Sequence, residues 1–192
     1  MILRASERFF VAQPGIETRQ CFSAGGFYDA SRLSAGALIG VDEHVIAAGA
    51  GFAEHAHRGV DIVSWVVAGA LRHDSDLVVS PGKLLVQSTG SGIRHAESNA
   101  SDEPLRLIQM TLLSSADAPS TRLTLAPLAV DGGTFHVHRF GSLRVAAPAH
   151  LYVVRGDFDV GDDALAVGDS SILDTDATAA GEGELLIWEL RD

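Results

Sequence analysis

The chain has 192 residues, 46% of them hydrophobic, and a formal net charge of −11, so it is long enough for one large domain or two small ones. An acidic surface repels nucleic-acid phosphates and no run of Lys and Arg interrupts it, so we expect no direct nucleic-acid binding. The single cysteine, Cys21, excludes an intrachain disulfide. The N-terminus does not have the pattern of a secretory signal, and no apolar run approaches the roughly 20 residues of a membrane helix. We therefore expect a cytoplasmic protein without a membrane segment.

Short runs of β-branched and apolar residues follow one another along the chain. The clearest are residues 62–67, 84–87, 105–113, 150–154 and 185–190. Each run is strand-sized and is bounded by turn residues, as at Pro81-Gly82. Convincing helical patterns are few. Many short strands with frequent turns favour sandwiches or barrels, so the sequence predicts an all-β fold.

Two halves of the chain share a loose pattern on either side of a small polar stretch, residues 116–121, which is typical of a linker. A strand, a glycine turn, a second strand and a glycine-centred turn follow residue 65 and again residue 152. This repetition favours one β-unit used twice. We predict an N-terminal domain over residues 1–115 and a C-terminal domain over residues 121–192.

The most informative motifs are His55-Ala56-His57 and His95-Ala96-Glu97. Side chains at positions i and i+2 of a strand project to the same face, so two neighbouring strands would bring three imidazoles and one carboxylate together. Such a set suits Fe, Mn, Ni, Co or Cu, whereas zinc is less apt for redox chemistry. Four protein ligands leave two positions of an octahedral metal open. The alternative is that these are surface or hydrogen-bonded histidines, but two such motifs, each near glycine, favour a metal site.

Other histidines carry weaker signals. His136 and His138 form a second His-x-His pair, but no His-x-Glu motif follows them, so we expect a polar strand face without a metal. His44 lies in a probable turn and His73 at the exit of a strand, where histidines are usually solvated. We expect neither to take part in catalysis.

Asp61 follows His57 by four residues and is predicted on the ligand face of a continuous strand. Its carboxylate could orient a ligating histidine, or form an ion pair with Arg58 or Arg94, so we leave it outside the set of ligands. The glycine-rich stretch 88–92 lacks the lysine of a phosphate loop and is expected to form the tight turn before His95.

The order of these motifs resembles the pirin family of the cupin superfamily. The matching segments are residues 22–23, 28–29, 48–52, 55–58, 62–66, 69–75, 81–82, 90–97, 102–104 and 107–109. The resemblance is close over residues 20–113 and weaker over 130–192. It implies a bicupin, that is, two jelly-roll-like β-barrels, with one metal ion in the N-terminal barrel. Because the chain is shorter than most family members and His136 and His138 lack further ligands, we expect a reduced C-terminal barrel without a metal. The resemblance also implies His55, His57, His95 and Glu97 as the ligands, with iron as the first candidate and Mn, Co, Ni, Cu or Zn as alternatives.

The pirin family includes quercetinase-like dioxygenases and regulatory partners of transcription factors, so the resemblance implies two classes of function. In the first, the protein is a quercetin 2,3-dioxygenase-type oxidoreductase. A small aromatic flavonol would chelate the metal, Glu97 would accept its hydroxyl proton, and dioxygen would cleave the ring. In the second, it is a non-catalytic metal- or redox-sensing protein that binds a protein partner. A purely structural metal is a third alternative.

The chain also departs from the pirin pattern. Ala56 replaces the usual Pro between the first two histidines, and Asp61 replaces the usual Glu. The loop after Ser75 is several residues shorter than is typical, and its glycines before Leu77 are missing. If this loop frames the mouth of the cavity, we expect an altered substrate preference or a loss of activity.

Overall fold

A computed structural model of the protein describes residues 1–191. The predicted all-β fold is confirmed: within the described range, the only helix is one turn of 3-10 helix at Ala5–Glu7. The strands are β1 (Ile2–Leu3), β2 (Phe9–Gln13), β3 (Ile16–Gln20), β4 (Leu38–Ile46), β5 (Gly51–His57), β6 (Val60–Ala68), β7 (Leu71–His73), β8 (Leu77–Val79), β9 (Leu84–Ser88), β10 (Ile93–Asn99), β11 (Leu105–Leu113), β12 (Ser120–Thr124), β13 (Leu128–Val130), β14 (Gly133–Val145), β15 (Ala149–Val160), β16 (Asp163–Leu165), β17 (Ser170–Leu173) and β18 (Ala177–Leu190). Residues 1–191 contain no helix that is long and apolar enough to cross a membrane.

The chain forms two compact units. The histidine-bearing unit consists of residues 9–33 and 38–125, and the C-terminal unit combines residues 126–192 with residues 1–8 and 34–37. Strand β12 pairs with β9, so part of the expected linker is a strand of the histidine-bearing unit. The division into separable domains at 1–115 and 121–192 stays a prediction.

Two antiparallel sheets form the histidine-bearing unit. The larger has the order β12-β9-β6-β11-β4-β3-β2 and the smaller the order β5-β10-β7-β8. Side chains of both sheets share one apolar cluster, in which Val66 and Leu107 of the larger sheet join Leu71 and Val79 of the smaller. Because alternate residues of a strand face this shared interior, the sheets close around a core as in a barrel.

The interior face of the larger sheet changes from apolar to polar along its strands. One row of cross-strand partners contains Ile16, Ile46 and Leu105. A second row of partners lies four residues away on each of these three strands, β3, β4 and β11, and contains Gln20, Asp42 and Gln109. Ser64 on β6 continues this row, because it is the partner of Gln109. Since paired residues project to the same face of a sheet, one end of the barrel is lined by polar side chains.

The C-terminal unit contains one sheet of the order β1-β17-β15-β18-β14-β13, with β16 added against β15. Its three longest strands are β14, β15 and β18, of 13, 12 and 14 residues. Buried side chains such as Leu151, Phe158 and Ile187 form its core. The β14–β18 and β15–β18 ladders each contain a shift of register, and strands usually bend at such bulges.

Candidate metal centre

Strands β5 and β10 bring three of the predicted ligands together. The antiparallel register sets His55 opposite His95 and His57 opposite Ile93. One ring nitrogen from each of His55, His57 and His95 lies within 4.8 Å of the other two. The two motifs therefore converge from neighbouring strands, as the i, i+2 spacing predicts.

A β-bulge in β5 changes which of its side chains face the interior on either side of the bulge. Two steps along β10, from His95 to Glu97, correspond to three steps along β5, from His55 to Phe52, so β5 carries one extra residue. At this bulge the Nδ1 of His55 lies 2.8 Å from the carbonyl oxygen of Ala53. Bulges commonly redirect a side chain at a functional site, and this one holds the His55 ring against its own strand.

The hydrogen bond to Ala53 determines which nitrogen of His55 is free. A carbonyl oxygen only accepts, so Nδ1 carries the proton and Nε2 of the neutral ring presents a lone pair. The Nε2 of His95 lies 3.0 Å from this atom. The Nε2 of His57 is buried and has no hydrogen-bond partner. Since a buried polar atom without a partner is costly, the His57 Nε2, together with the ring nitrogens of His55 and His95 that converge on it, fits a bound cation.

The electrostatics agree with this fit. Burial lowers the pKa of His57, and the nearby His55 lowers it further. Burial, followed by the neighbouring histidines His55, His57 and His73, lowers the pKa of His95 to about 4. Both rings are thus neutral at pH 7, which is the form that binds metals. Three imidazole nitrogens suit a divalent transition metal.

Glu97 lies on the same face of β10 as His95, and both side chains are buried. Its carboxylate is not among the atoms grouped within 4.8 Å. Instead, the Gln109 Nε2 donates to Glu97 Oε2 at 2.9 Å and to Ser64 Oγ at 3.2 Å. Burial raises the pKa of Glu97, whereas the Gln109 hydrogen bond lowers it. The carboxylate is therefore positioned beside the histidines, and its role as a ligand stays a prediction.

The expectation that His44 and His73 are solvated is wrong. His44 lies within β4, 6% exposed, with Nδ1 2.8 Å from Thr18 Oγ1. His73 ends β7 and is 3% exposed because β7 pairs with β10, where Glu97 is its cross-strand partner. The neighbouring Asp-Glu and Asp-Ser sequences suggested turns, but sheet pairing buries both rings.

The expected location of Asp61 on the ligand face is also wrong. Strand β5 ends at His57 and β6 begins at Val60 in the other sheet, so the four-residue spacing spans a turn. Ser64 contacts Gln109 on the polar interior, and a residue three positions earlier on the same strand faces the opposite side. The buried Asp61 Oδ1 has no hydrogen-bond partner. Neither predicted arginine pairs with it: Arg94 binds Glu54 at 2.8 Å.

The second His-x-His pair has an acidic neighbour that sequence spacing did not indicate. The Nε2 of His136 lies 3.3 Å from Glu189 Oε2. The Nε2 of His138 lies 3.2 Å from the Gly141 carbonyl oxygen. The two rings therefore have different partners, contributed by β18 and by their own strand.

Asp42 is an ionisable group of the barrel interior that the sequence analysis missed. Burial raises its pKa to about 7, although a hydrogen bond from Gln20 opposes this shift. It pairs across strands with Gln109. The sequence signal that could have identified Asp42 and Gln109 is a polar residue at an inward-facing position of an otherwise apolar strand.

A cavity of about 520 Å³ borders His57, within the range typical of small-molecule sites. It is lined by Ala56, His57, Arg58, Gly92, Ile93 and Arg94. Because Arg94 is paired with Glu54, Arg58 is the arginine of this lining that offers positive charge to an anionic ligand.

The comparison with solved structures defines the class of protein. The bacterial pirin YhhW of Escherichia coli, solved in complex with nickel(II), superposes with a TM-score of 0.82 over 100% of both chains at 22% identity. The chain therefore has the all-β fold of a bacterial pirin, and its histidine-bearing unit contains a histidine cluster able to hold a metal. The model of the family described as Pirin matches residues 4–112.

Two relatives extend the similarity to nearly the whole chain. A Mycobacterium tuberculosis protein named "Putative quercetin 2,3-dioxygenase" is 30% identical over 98% of this chain and 94% of its own length. The quercetin 2,3-dioxygenase of E. coli K12 is 25% identical over 97% of this chain and 96% of its own length. The chain belongs to the pirin family, as its motifs predicted.

Proposed function

We propose that the protein is a metal-dependent dioxygenase that cleaves a flavonol-type substrate. The observation that carries the proposal is the convergence of His55, His57 and His95, including the unpartnered buried Nε2 of His57. Relatives named as quercetin 2,3-dioxygenases supply the substrate class. A bound divalent transition metal would supply Lewis-acid and redox chemistry.

Glu97 is the residue that we assign to proton transfer. We propose that it completes the ligand set of the resting protein and then accepts the hydroxyl proton of the substrate at Oε1, since Gln109 holds Oε2. Burial raises the pKa of Glu97, which favours a group that gains a proton during the reaction. The cavity beside His57 would receive the aromatic rings, with Arg58 at its edge.

Iron is our first candidate for the metal. Affinity alone does not select it, because most nitrogen and oxygen sites bind Ni and Cu more tightly than Fe. Metal supply during folding would then decide the occupant. The E. coli neighbour was solved with nickel(II), so reconstitution should cover Fe, Mn, Co, Ni and Cu.

The proposal is tested by metal analysis and oxygen uptake. We expect one metal ion per chain, a sharp loss of metal in His57→Ala and no loss in His136→Ala, a histidine of the other His-x-His pair. Oxygen uptake with quercetin should follow metal content. Full occupancy in His57→Ala would contradict the site. Metal-loaded protein that consumes no oxygen with any of the five metals would contradict the enzyme and favour a metal-sensing binding protein.

A further inference from the structure

His73 and Asp74 form a polar series with one of the candidate ligands, in which His73 is buried and Asp74 is half exposed. The Nε2 of His73 lies 3.0 Å from the Nδ1 of His95, which is the ring nitrogen facing away from His55. On its other side, the Nδ1 of His73 lies 3.5 Å from Asp74 Oδ2. His73 and His95 are 3% and 1% exposed, so water does not easily replace the contact between their two rings.

Asp74 is held in place by the strand that carries the ligands. Its backbone N–H donates to the Ala96 carbonyl at 2.9 Å, and its Oδ1 accepts from the Ala96 N–H at 3.0 Å. Ala96 is the residue between His95 and Glu97. Asp74 also has a φ of 52°, the one positive φ of a non-glycine residue in the described part of the chain. This left-handed conformation persists where surrounding contacts enforce it, and here it aims the carboxylate at His73.

The contacts between Asp74, His73 and His95 permit two arrangements of protons. The two arrangements differ in whether the Nε2 of His95 has a lone pair for a metal. If His95 carries its proton on Nε2, that atom donates to His55 and cannot bind a cation. His73 must then donate from its own Nε2, so its Nδ1 turns a lone pair towards the Asp74 carboxylate. If His73 instead carries its proton on Nδ1, facing Asp74, its Nε2 accepts from the His95 Nδ1–H. The His95 Nε2 then presents a lone pair.

The geometry points to Asp74 and His73 as a positioning pair that holds His95 in its metal-binding tautomer. This inference rests on the proposed metal centre and adds two residues to it. Metal-bound histidines usually donate their second N–H to a carboxylate, carbonyl or water, and loss of that partner weakens binding. Here the acceptor is an imidazole, which is itself oriented by a carboxylate.

Cobalt(II) affinity tests the pair without reference to turnover. His73→Leu removes the acceptor, and we expect Co(II) to bind about 10- to 100-fold more weakly. His73→Gln retains an oxygen near the position of Nε2, and we expect it to recover most of the affinity. His150→Leu, which removes a buried imidazole from the C-terminal unit, should leave the affinity unchanged. Competition against a chromophoric chelator measures all four proteins, after circular dichroism confirms that each is folded.

Proton NMR of the Co(II)-loaded wild type in water gives a second readout. The His95 Nδ1–H should appear as a paramagnetically shifted, slowly exchanging signal that is absent from His73→Leu. Equal Co(II) affinity in the wild type, His73→Leu and His73→Gln would overturn the inference, as would fast exchange of that proton. Wild-type protein that binds no Co(II) would overturn the metal centre and the inference together. Absence of flavonol turnover would overturn only the dioxygenase.

Discussion

Metal binding and proton transfer can be separated at a single residue, Glu97. Three histidines are enough to retain a metal in many proteins, and His55, His57 and His95 converge without the Glu97 carboxylate. Glu97→Gln keeps an oxygen that Gln109 can hold, but an amide does not accept a proton at neutral pH. We expect this variant to keep measurable metal and to lose about a hundredfold or more of flavonol turnover.

The matched control for this variant is Glu17→Gln on β3 of the same unit. The Glu17 side chain is 54% exposed and pairs with Arg19, which does not line the cavity, so its charge should not affect turnover. Oxygen uptake is compared at equal metal content. Equal rates in the wild type and Glu97→Gln would rule out the role of Glu97 as a base.

At the scale of elements, the turn between β9 and β10 brings the His95 strand into the barrel. Gly90 has a φ of +49°, and a Cβ there would lie 2.6 Å from the Ala118 carbonyl carbon and 2.7 Å from the Asp117 oxygen. Gly82 has a φ of +77°, but nothing lies within 4 Å of its Cβ position. Replacing either glycine by alanine costs about 1–2 kcal/mol for the left-handed conformation. At Gly90, steric overlap adds roughly 1–3 kcal/mol.

We therefore expect Gly90→Ala to lower the urea midpoint of the histidine-bearing unit clearly more than Gly82→Ala does. Because the turn leads into β10, Gly90→Ala should also weaken Co(II) binding, whereas Gly82→Ala should not. Fluorescence of Trp65, buried in β6, reports the unfolding. Similar urea midpoints for the two variants would contradict this prediction, because they would show that the backbone of residues 117–118 moves away from the added methyl group at little cost.

At the scale of the whole molecule, the two units should respond differently to acid. In the C-terminal unit, burial lowers the pKa of His150 to about 3. The unfolded chain therefore binds more protons than the folded unit below pH 6.5, and stability falls as the pH drops from 6.5 towards 3. At pH 5 this loss is about 2 kcal/mol, from roughly 1.4 kcal/mol per pH unit.

In the histidine-bearing unit, buried histidines and buried carboxyl groups oppose each other. Burial lowers the pKa of His44 and of His95 to about 4 and also lowers that of His57, so these histidines remove stability as the pH falls below 6.5. Burial raises the pKa of Asp42 to about 7 and also raises that of Glu97, so the contributions of these carboxyl groups to stability increase as the pH falls. These contributions partly cancel.

Each unit carries one of the two tryptophans, Trp65 and Trp188, so Trp188→Phe and Trp65→Phe leave one reporter per unit. In metal-free protein, we expect the Trp188 transition to lose about 2 kcal/mol of stability between pH 6.5 and pH 5 through His150. His150→Gln should reduce the slope seen by Trp188. An unchanged slope in His150→Gln would show that other groups cause the acid response.

The local pattern of the sequence was sufficient for the fold class and for the strand faces that carry the histidines. Glycine turns between β-branched runs determine an all-β chain, and the i, i+2 spacing puts His55 with His57 and His95 with Glu97 because side chains alternate along any strand. This reasoning fails where a strand ends unnoticed: Asp61 lies beyond the turn at Arg58-Gly59, in another sheet.

Only the tertiary structure decided which groups support those histidines. His73 contacts His95 across 22 positions of the sequence and Gln109 contacts Glu97 across 12, because β10 pairs with β7 and the two sheets enclose one interior. The bulge at Ala53 that orients His55 likewise follows from the register between β5 and β10. The spacing of residues within one strand determines the face on which a side chain projects, but strand pairing and sheet packing determine what that face meets.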